Sequence, residues 1–114
     1  IKSIHDSYEK NSLKMKAKPI DIKKIELAKK NLSEVVLETE LQHNLRHSEK
    51  FNCSVWFKRE DLQKVRSFKI RGAFNKISSL SDNDKLKGVV CSSAGNHAQG
   101  VALSCNKLQI DGVI

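Results

Sequence analysis

Apolar residues recur along this chain in two rhythms, and the rhythm changes where one element gives way to the next. Behind Asp21, a residue suited to cap a first turn, Ile22, Ile25, Leu27, Ala28 and Leu32 fall at helical spacing. Val35–Leu37 reads as a short extended piece. Leu41 and Leu45, with Ser48, suggest a second helix that ends at the turn around Asn52. The run CSVWFK (Cys53–Lys58) is rich in β-formers and is expected as a buried strand. Ile70, Ala73, Phe74 and Ile77 stand at i, i+3, i+4 and i+7 and predict a third helix, ended by SLSDND at 79–84. GVVCS (Gly88–Ser92) has the continuous apolar character of a strand buried on both faces. After the loop SAGNH, the positions Ala98, Val101, Ala102 and Cys105 mark a further helix, and IDGVI (110–114) opens another strand.

Strand, helix, strand, helix, strand predicts an α/β fold with an open, mostly parallel sheet flanked by helices. No internal repeat is present. Residues 1–18 are polar, lysine-rich and weakly periodic, and are expected as a flexible lead-in before Pro19; residues 19–114 form the structured unit. The sequence stops within its last predicted strand, which would leave a sheet edge uncovered, so it reads as a piece of something longer. It begins at Ile1 and its one methionine is Met15, which suggests Met15 as the natural start. A natively expressed peptide beginning upstream of Met15 would contradict this.

Composition narrows the function classes. With 114 residues, 39% hydrophobic and 30% charged, the chain suits one small globular domain without a membrane-spanning segment. The net charge of +8 would suit nucleic acid or an anionic ligand. The lysines are scattered, however, and a single Trp and a single Tyr do not make a base-stacking surface, so a solvated lysine face is favoured over nucleic-acid binding. Cys53, Cys91 and Cys105 form no CxxC pair and are expected as reduced thiols of a cytoplasmic protein. His43 and His47 are four apart in the predicted second helix, but no glutamate follows the first, so HExxH is absent and no metal is expected. The amino terminus has neither a signal-peptide apolar core nor an acid-free, arginine-rich composition.

Two stretches carry candidate chemistry. In SFKIRGA, Lys69 sits where a helix begins, between Arg66 and Arg71. Unpaired helix-start N–H groups and neighbouring guanidiniums both disfavour an ammonium ion, and a lysine held neutral is what attack on a carbonyl requires. A solvated surface lysine is the alternative. In CSSAGNHAQG (91–100), a strand leads through small residues into a helix, at the end of a sheet where open α/β folds bind ligands. Gly95 permits close backbone approach, while Ser92, Ser93 and the loop N–H groups suit a carboxylate or phosphate. Asn96 offers an amide donor. His97 at a helix start is as readily a local hydrogen bonder as a base.

Taken together, FKREDLQKVRSFKIRGAFNKI (57–77) and GVVCSSAGNHAQGVA (88–102) closely resemble the threonine dehydratases (threonine deaminases) of the fold-type-II pyridoxal-phosphate enzymes. The resemblance runs from about Leu32 to Ile114 and implies the N-terminal part of a tryptophan-synthase-β-like catalytic domain. It implies that Lys69 holds pyridoxal 5'-phosphate covalently and later acts as general base at the substrate Cα. Phe68 matches the aromatic beside the pyridine ring and Asn96 the donor to the cofactor 3' oxygen. Ser93, Gly95, Asn96 and His97 match the loop that grips the substrate carboxylate. The implied reaction is α,β-elimination of L-threonine to 2-oxobutanoate and ammonia on the route to isoleucine, with L-serine as a second substrate. The full-length protein is implied to be a cytoplasmic homo-oligomer. The glycine-rich phosphate loop and the residue facing the pyridine nitrogen are not in these 114 residues, so the isolated chain is expected to show at most a trace of turnover. Serine racemase is the nearest rival. Cysteine synthase fits less well because its loop typically has threonine after the asparagine. A non-enzymatic remnant that binds cofactor or a partner is a second class.

Overall fold

The computed structural model describes residues 20–114; the expected lead-in at 1–18 and the Met15 start lie outside the described residues. The first helix, α1 (Ile22–Leu32), begins where the Asp21 side chain accepts from the Lys23 N–H at 3.1 Å. Lys29 and Lys30 occupy its last turn, where cations complement the helix dipole. Of its apolar positions only Leu32 is buried, while Ile22, Ile25 and Leu27 are exposed. The predicted extended piece is a turn at its first two residues, because the Val35 and Val36 N–H groups both donate to the Leu32 carbonyl at 3.0 Å. Leu37 onward leaves the turn without forming a strand before Leu41.

Leu41 belongs to a strand rather than to the expected second helix. β1 (Leu41–His43) precedes α2 (Leu45–Phe51), which Asn44 caps by accepting from the His47 N–H at 3.0 Å. Asn52 then ends α2 in the left-handed conformation, φ 49°. β2 covers only Trp56–Lys58 of the run expected as a strand, and it pairs antiparallel with β1 in the register Gln42↔Phe57. It is exposed throughout, contrary to the expected buried strand. The β-branched and aromatic residues satisfy a pleated pair, but Trp56 and Phe57 meet imidazole rings and stay exposed. His43 therefore lies in a strand, its ring 4.6 Å from that of Trp56, while His47 is in α2 against Phe57 at 5.3 Å; the two do not share a helix face.

A 3-10 turn (Glu60–Leu62) leads toward α3 (Lys69–Ser78). Here the predicted apolar face is fully realised: Ile70, Ala73, Phe74 and Ile77 are all buried. The helix separates two clusters. Ile70 and Phe74 pack with Leu32, Val35 and Val65, whereas Ala73 and Ile77 pack with Cys91, Val101 and Cys105. The segment expected only to end α3 also starts a short helix, α4 (Asp82–Leu86), capped by Ser81. Five residues are too few to display a period.

β3 (Val89–Val90) and β4 (Gly112–Val113) pair parallel, joined by α5 (Asn96–Leu108), and this βαβ unit carries the α/β character. β3 is not covered on both faces, since Val90 is exposed. The two strand pairs remain separate two-stranded sheets, one antiparallel and one parallel. Gly88 enters β3 at φ 80°, and a Cβ there would stand 2.9 Å from the Asp111 carbonyl oxygen, so only glycine fits that turn. α3 packs chiefly on α5, and that interface positions the site.

Candidate active site

Lys69 is the first residue of α3, as its flanking sequence predicts. The chain reaches it through Arg66 at φ 56°, a left-handed conformation that costs a non-glycine residue energy and turns the backbone toward the helix. The Lys69 N–H then donates to Ser67 Oγ at 3.4 Å, and no side chain caps the helix from Phe68. Ile70, only 1% exposed, points inward and fixes the turn, leaving Phe68 and Lys69 on the exposed side. Lys69 Nζ lies 5.0 Å from the centroid of the Phe68 ring, a cation–π approach.

The two flanking arginines are not equivalent. Arg71 donates to Glu60 through Nε at 2.8 Å and Nη2 at 2.7 Å, so much of its charge is matched locally. The electropositive surroundings expected of Lys69 narrow accordingly to the helix start and Arg66. Glu60 also accepts from Thr39 Oγ1 at 2.6 Å and from Gln63 Nε2 at 3.3 Å. The Arg71 hydrogen bonds hold its carboxyl down at about 2, with Thr39 and Gln63 adding to the effect and partial burial opposing it. The same contact raises Arg71 above its ordinary value. Gln63, 1% exposed, uses its amide as a substitute strand: Oε1 accepts from the Leu37 N–H at 2.9 Å and Nε2 donates to the Leu37 carbonyl at 2.8 Å. These two bonds tie Leu37 to the segment that leads into α3.

The second stretch lies where expected, at the carboxyl end of β3. Ser92, Gly95, Asn96 and His97 are exposed and Ser93 is half-buried. Asn96 and His97 open α5, Gly95 precedes them, and no side chain caps that helix start. Gly95 N–H donates to Ser93 Oγ at 3.4 Å, while Ala98, buried, anchors the turn from beneath. Uncapped helix-start N–H groups beside hydroxyl, amide and imidazole donors make an anion-binding surface.

Gly100 brings the two stretches together. A Cβ at this position would meet the carbonyl carbon and oxygen of Lys69 at 3.2 Å each and the nitrogen of Ile70 at 3.3 Å. The missing side chain lets α5 rest on the peptide that carries Lys69. Asn96 is four residues ahead of Gly100, about 6 Å along a helix axis. Ser104, fully buried, donates to the Gly100 carbonyl at 2.6 Å within the same helix. Glu60, Gln63 and Gly100 were not among the residues expected from sequence. Partners 11 or more residues apart leave no periodic signal, and the glycine lay within a helical pattern.

An exposed amine beside an aromatic ring, on a helix that packs against one with an uncapped, donor-rich start, suits a cofactor bearing both a carbonyl and an anionic group. Lys69, Phe68 and the 93–97 loop fit such a group in donor chemistry and in exposure. The arrangement is that of an α/β fold with its candidate site at the carboxyl end of a parallel strand, where open α/β sheets bind ligands. The family model described as pyridoxal-phosphate dependent enzyme matches residues 32–114, and the chain belongs to that family. It is 57% identical over 95 residues to the biosynthetic L-threonine dehydratase of Halalkalibacterium halodurans, covering 83% of this chain and 23% of that protein. Among solved structures it is similar to maize serine racemase, with TM-score 0.75 and 37% identity over 81% of this chain and 29% of the other. It is also similar to the processed form of threonine deaminase isoform 2 from Solanum lycopersicum, with TM-score 0.67 and 37% identity over 82% of this chain and 29% of the other. These relatives have the expected fold-type-II architecture. The chain spans about a quarter of the length of the curated relatives it matches.

Proposed function

We propose that the complete protein carrying this chain is a threonine dehydratase, converting L-threonine, and L-serine as a second substrate, to the 2-oxo acid and ammonia, on the biosynthetic route to isoleucine. One observation carries this reading: the Lys69–Ile70 peptide rests on Gly100, about one helical turn beyond Asn96, so the two candidate stretches meet at one helix interface. When bound, pyridoxal 5'-phosphate supplies the electron sink that stabilises negative charge at the substrate Cα. Lys69 would hold the cofactor at rest and, once free, would take the proton from Cα. Phe68 would lie beside the bound cofactor and Asn96 would offer it a hydrogen-bond donor. Ser93, Gly95, Asn96 and His97 hold the substrate carboxylate at the start of α5, which keeps the Cα–H bond in reach of the amine. The β-hydroxyl takes up a proton and leaves as water, and addition of water to the released enamine gives the 2-oxo acid and ammonia.

Serine racemase is the second reading, supported by the maize structure. The higher identity to a dehydratase, 57% against 37%, favours elimination. Among the described residues no helix is long and apolar enough to cross a membrane. The proposed complete protein is a cytoplasmic homo-oligomer acting on a small amino acid. Incubating the complete cofactor-loaded protein with L-threonine and L-serine separates the readings. Elimination yields 2-oxobutanoate from threonine; D-serine without keto acid would overturn it.

A further inference from the structure

We propose that the Glu60–Arg71 ion pair is the positioning device of Lys69, fixing the first turn of α3 so that the amine meets its partner atoms from one place. The inference rests on the reading of Lys69 as the cofactor-bearing lysine. α3 opens on Lys69 and reaches Arg71 with no acidic residue in its first turn, a charge order that opposes the helix dipole. Glu60 supplies the missing negative charge from a separate element. Its two oxygens take the two arms of the guanidinium, Nε at 2.8 Å and Nη2 at 2.7 Å, a planar fork that fixes direction as well as distance.

The fork is itself held. Thr39 Oγ1 donates to Glu60 at 2.6 Å, and Gln63 links Glu60 to both backbone groups of Leu37. Arg71 Nη2 also reaches the Leu37 carbonyl at 3.3 Å. The 37–39 segment, the 60–62 turn and the start of α3 thus converge on one carboxylate, whose partner Arg71 stands two residues from Lys69. On the other side of that turn, Gly100 meets the Lys69 peptide. Lys69 is seated by backbone contact on one side and by a directional ion pair on the other. A lysine at position 71 would keep the charge and lose the fork.

The test uses the complete, cofactor-loaded protein, with threonine turnover expressed per bound cofactor. Glu60→Gln and Arg71→Lys are each expected to lower kcat about tenfold while KM stays within about twofold, as loss of positioning at the reacting centre requires. The double variant should lose no more than the worse single one, because the two residues act as a unit. A merely structural pair would lower Tm and cofactor content but leave kcat per bound cofactor within about twofold of the parent. That result overturns the proposal, as does multiplication of the two losses. Should these variants fail to fold, Thr39→Val removes one bond to Glu60 and leaves the ion pair; about a two- to threefold loss of kcat is expected, and unchanged kcat overturns the proposal. Lys69→Ala tests the underlying reading separately. Retention of the lysine-linked visible band in that variant sinks the reading itself, whereas its loss alongside normal kcat in Glu60→Gln sinks only the positioning role.

Discussion

Gly100 offers a perturbation whose effects on stability and on turnover should part company. A methyl group there would lie 3.2 Å from the carbonyl carbon and oxygen of Lys69, against ordinary contact at 3.4 Å and beyond. Both neighbours are backbone atoms, so no flexible side chain can swing aside, and the α3 start must yield by a few tenths of an ångström. Alanine gains about 1 kcal/mol of helix propensity over glycine, while overpacking a tight contact costs about 1–3 kcal/mol. The net change in stability is therefore small, about 0–2 kcal/mol of destabilisation. Turnover is more sensitive, since a misplacement of about 1 Å costs on the order of a hundredfold. A few tenths should cost about five- to tenfold. The assay is keto-acid formation per bound cofactor by the complete Gly100→Ala protein, with thermal unfolding measured alongside. Full turnover together with a raised Tm would refute the reasoning, because the methyl would then be accommodated without moving the Lys69 peptide.

Ile70 is 1% exposed among Leu32, Val35, Val65 and Phe74, so Ile70→Ala should destabilise by about 3–4 kcal/mol in denaturant unfolding, and a loss below about 1 kcal/mol would contradict the packing. Glu60 is held at about 2, below its ordinary 4.5, so its stabilising contribution is present above the ordinary carboxylate range and is lost as pH falls toward 2. Its side chain is 17% exposed and that of Arg71 35%, so a gross figure of about 3 kcal/mol is reduced by solvent screening to about 2 kcal/mol. The Tm gap between the parent and Glu60→Gln should therefore be clear at neutral pH, about halved near pH 3 and mostly gone near pH 2; an equal gap at neutral pH and at about pH 3 would contradict it.

What the sequence made legible was local. The buried face of α3 followed from four apolar residues at helical spacing, and the helix start at Lys69 followed from its place just before them. The turn from β3 through small residues into α5 was equally readable, because strand, loop and helix are consecutive. The exposure of Trp56 and Phe57 was not, since β-forming residues specify a pleated backbone and leave unstated what packs over it. Leu41 was assigned to a helix because one apolar residue four places before Leu45 fits that period, yet its backbone pairs with Lys58 across a hairpin. The support of the site was hidden for a similar reason. Gln63 pairs with Leu37, 26 residues away, and Arg71 with Glu60, 11 away, and no periodicity encodes such pairings. Arg71 also shows how neighbours in sequence mislead about charge: read alone it repels Lys69, whereas in the fold Glu60 occupies it.

The claim on which the rest depends is that Lys69, and no other lysine, bears the cofactor. Reduction of the cofactor-loaded complete protein with borohydride, followed by peptide mapping, tests it directly. The account predicts the pyridoxyl label on the peptide containing Ser67-Phe68-Lys69, at Lys69. Label on a different lysine, or an unlabelled Lys69 in a protein that retains its visible band, would contradict it.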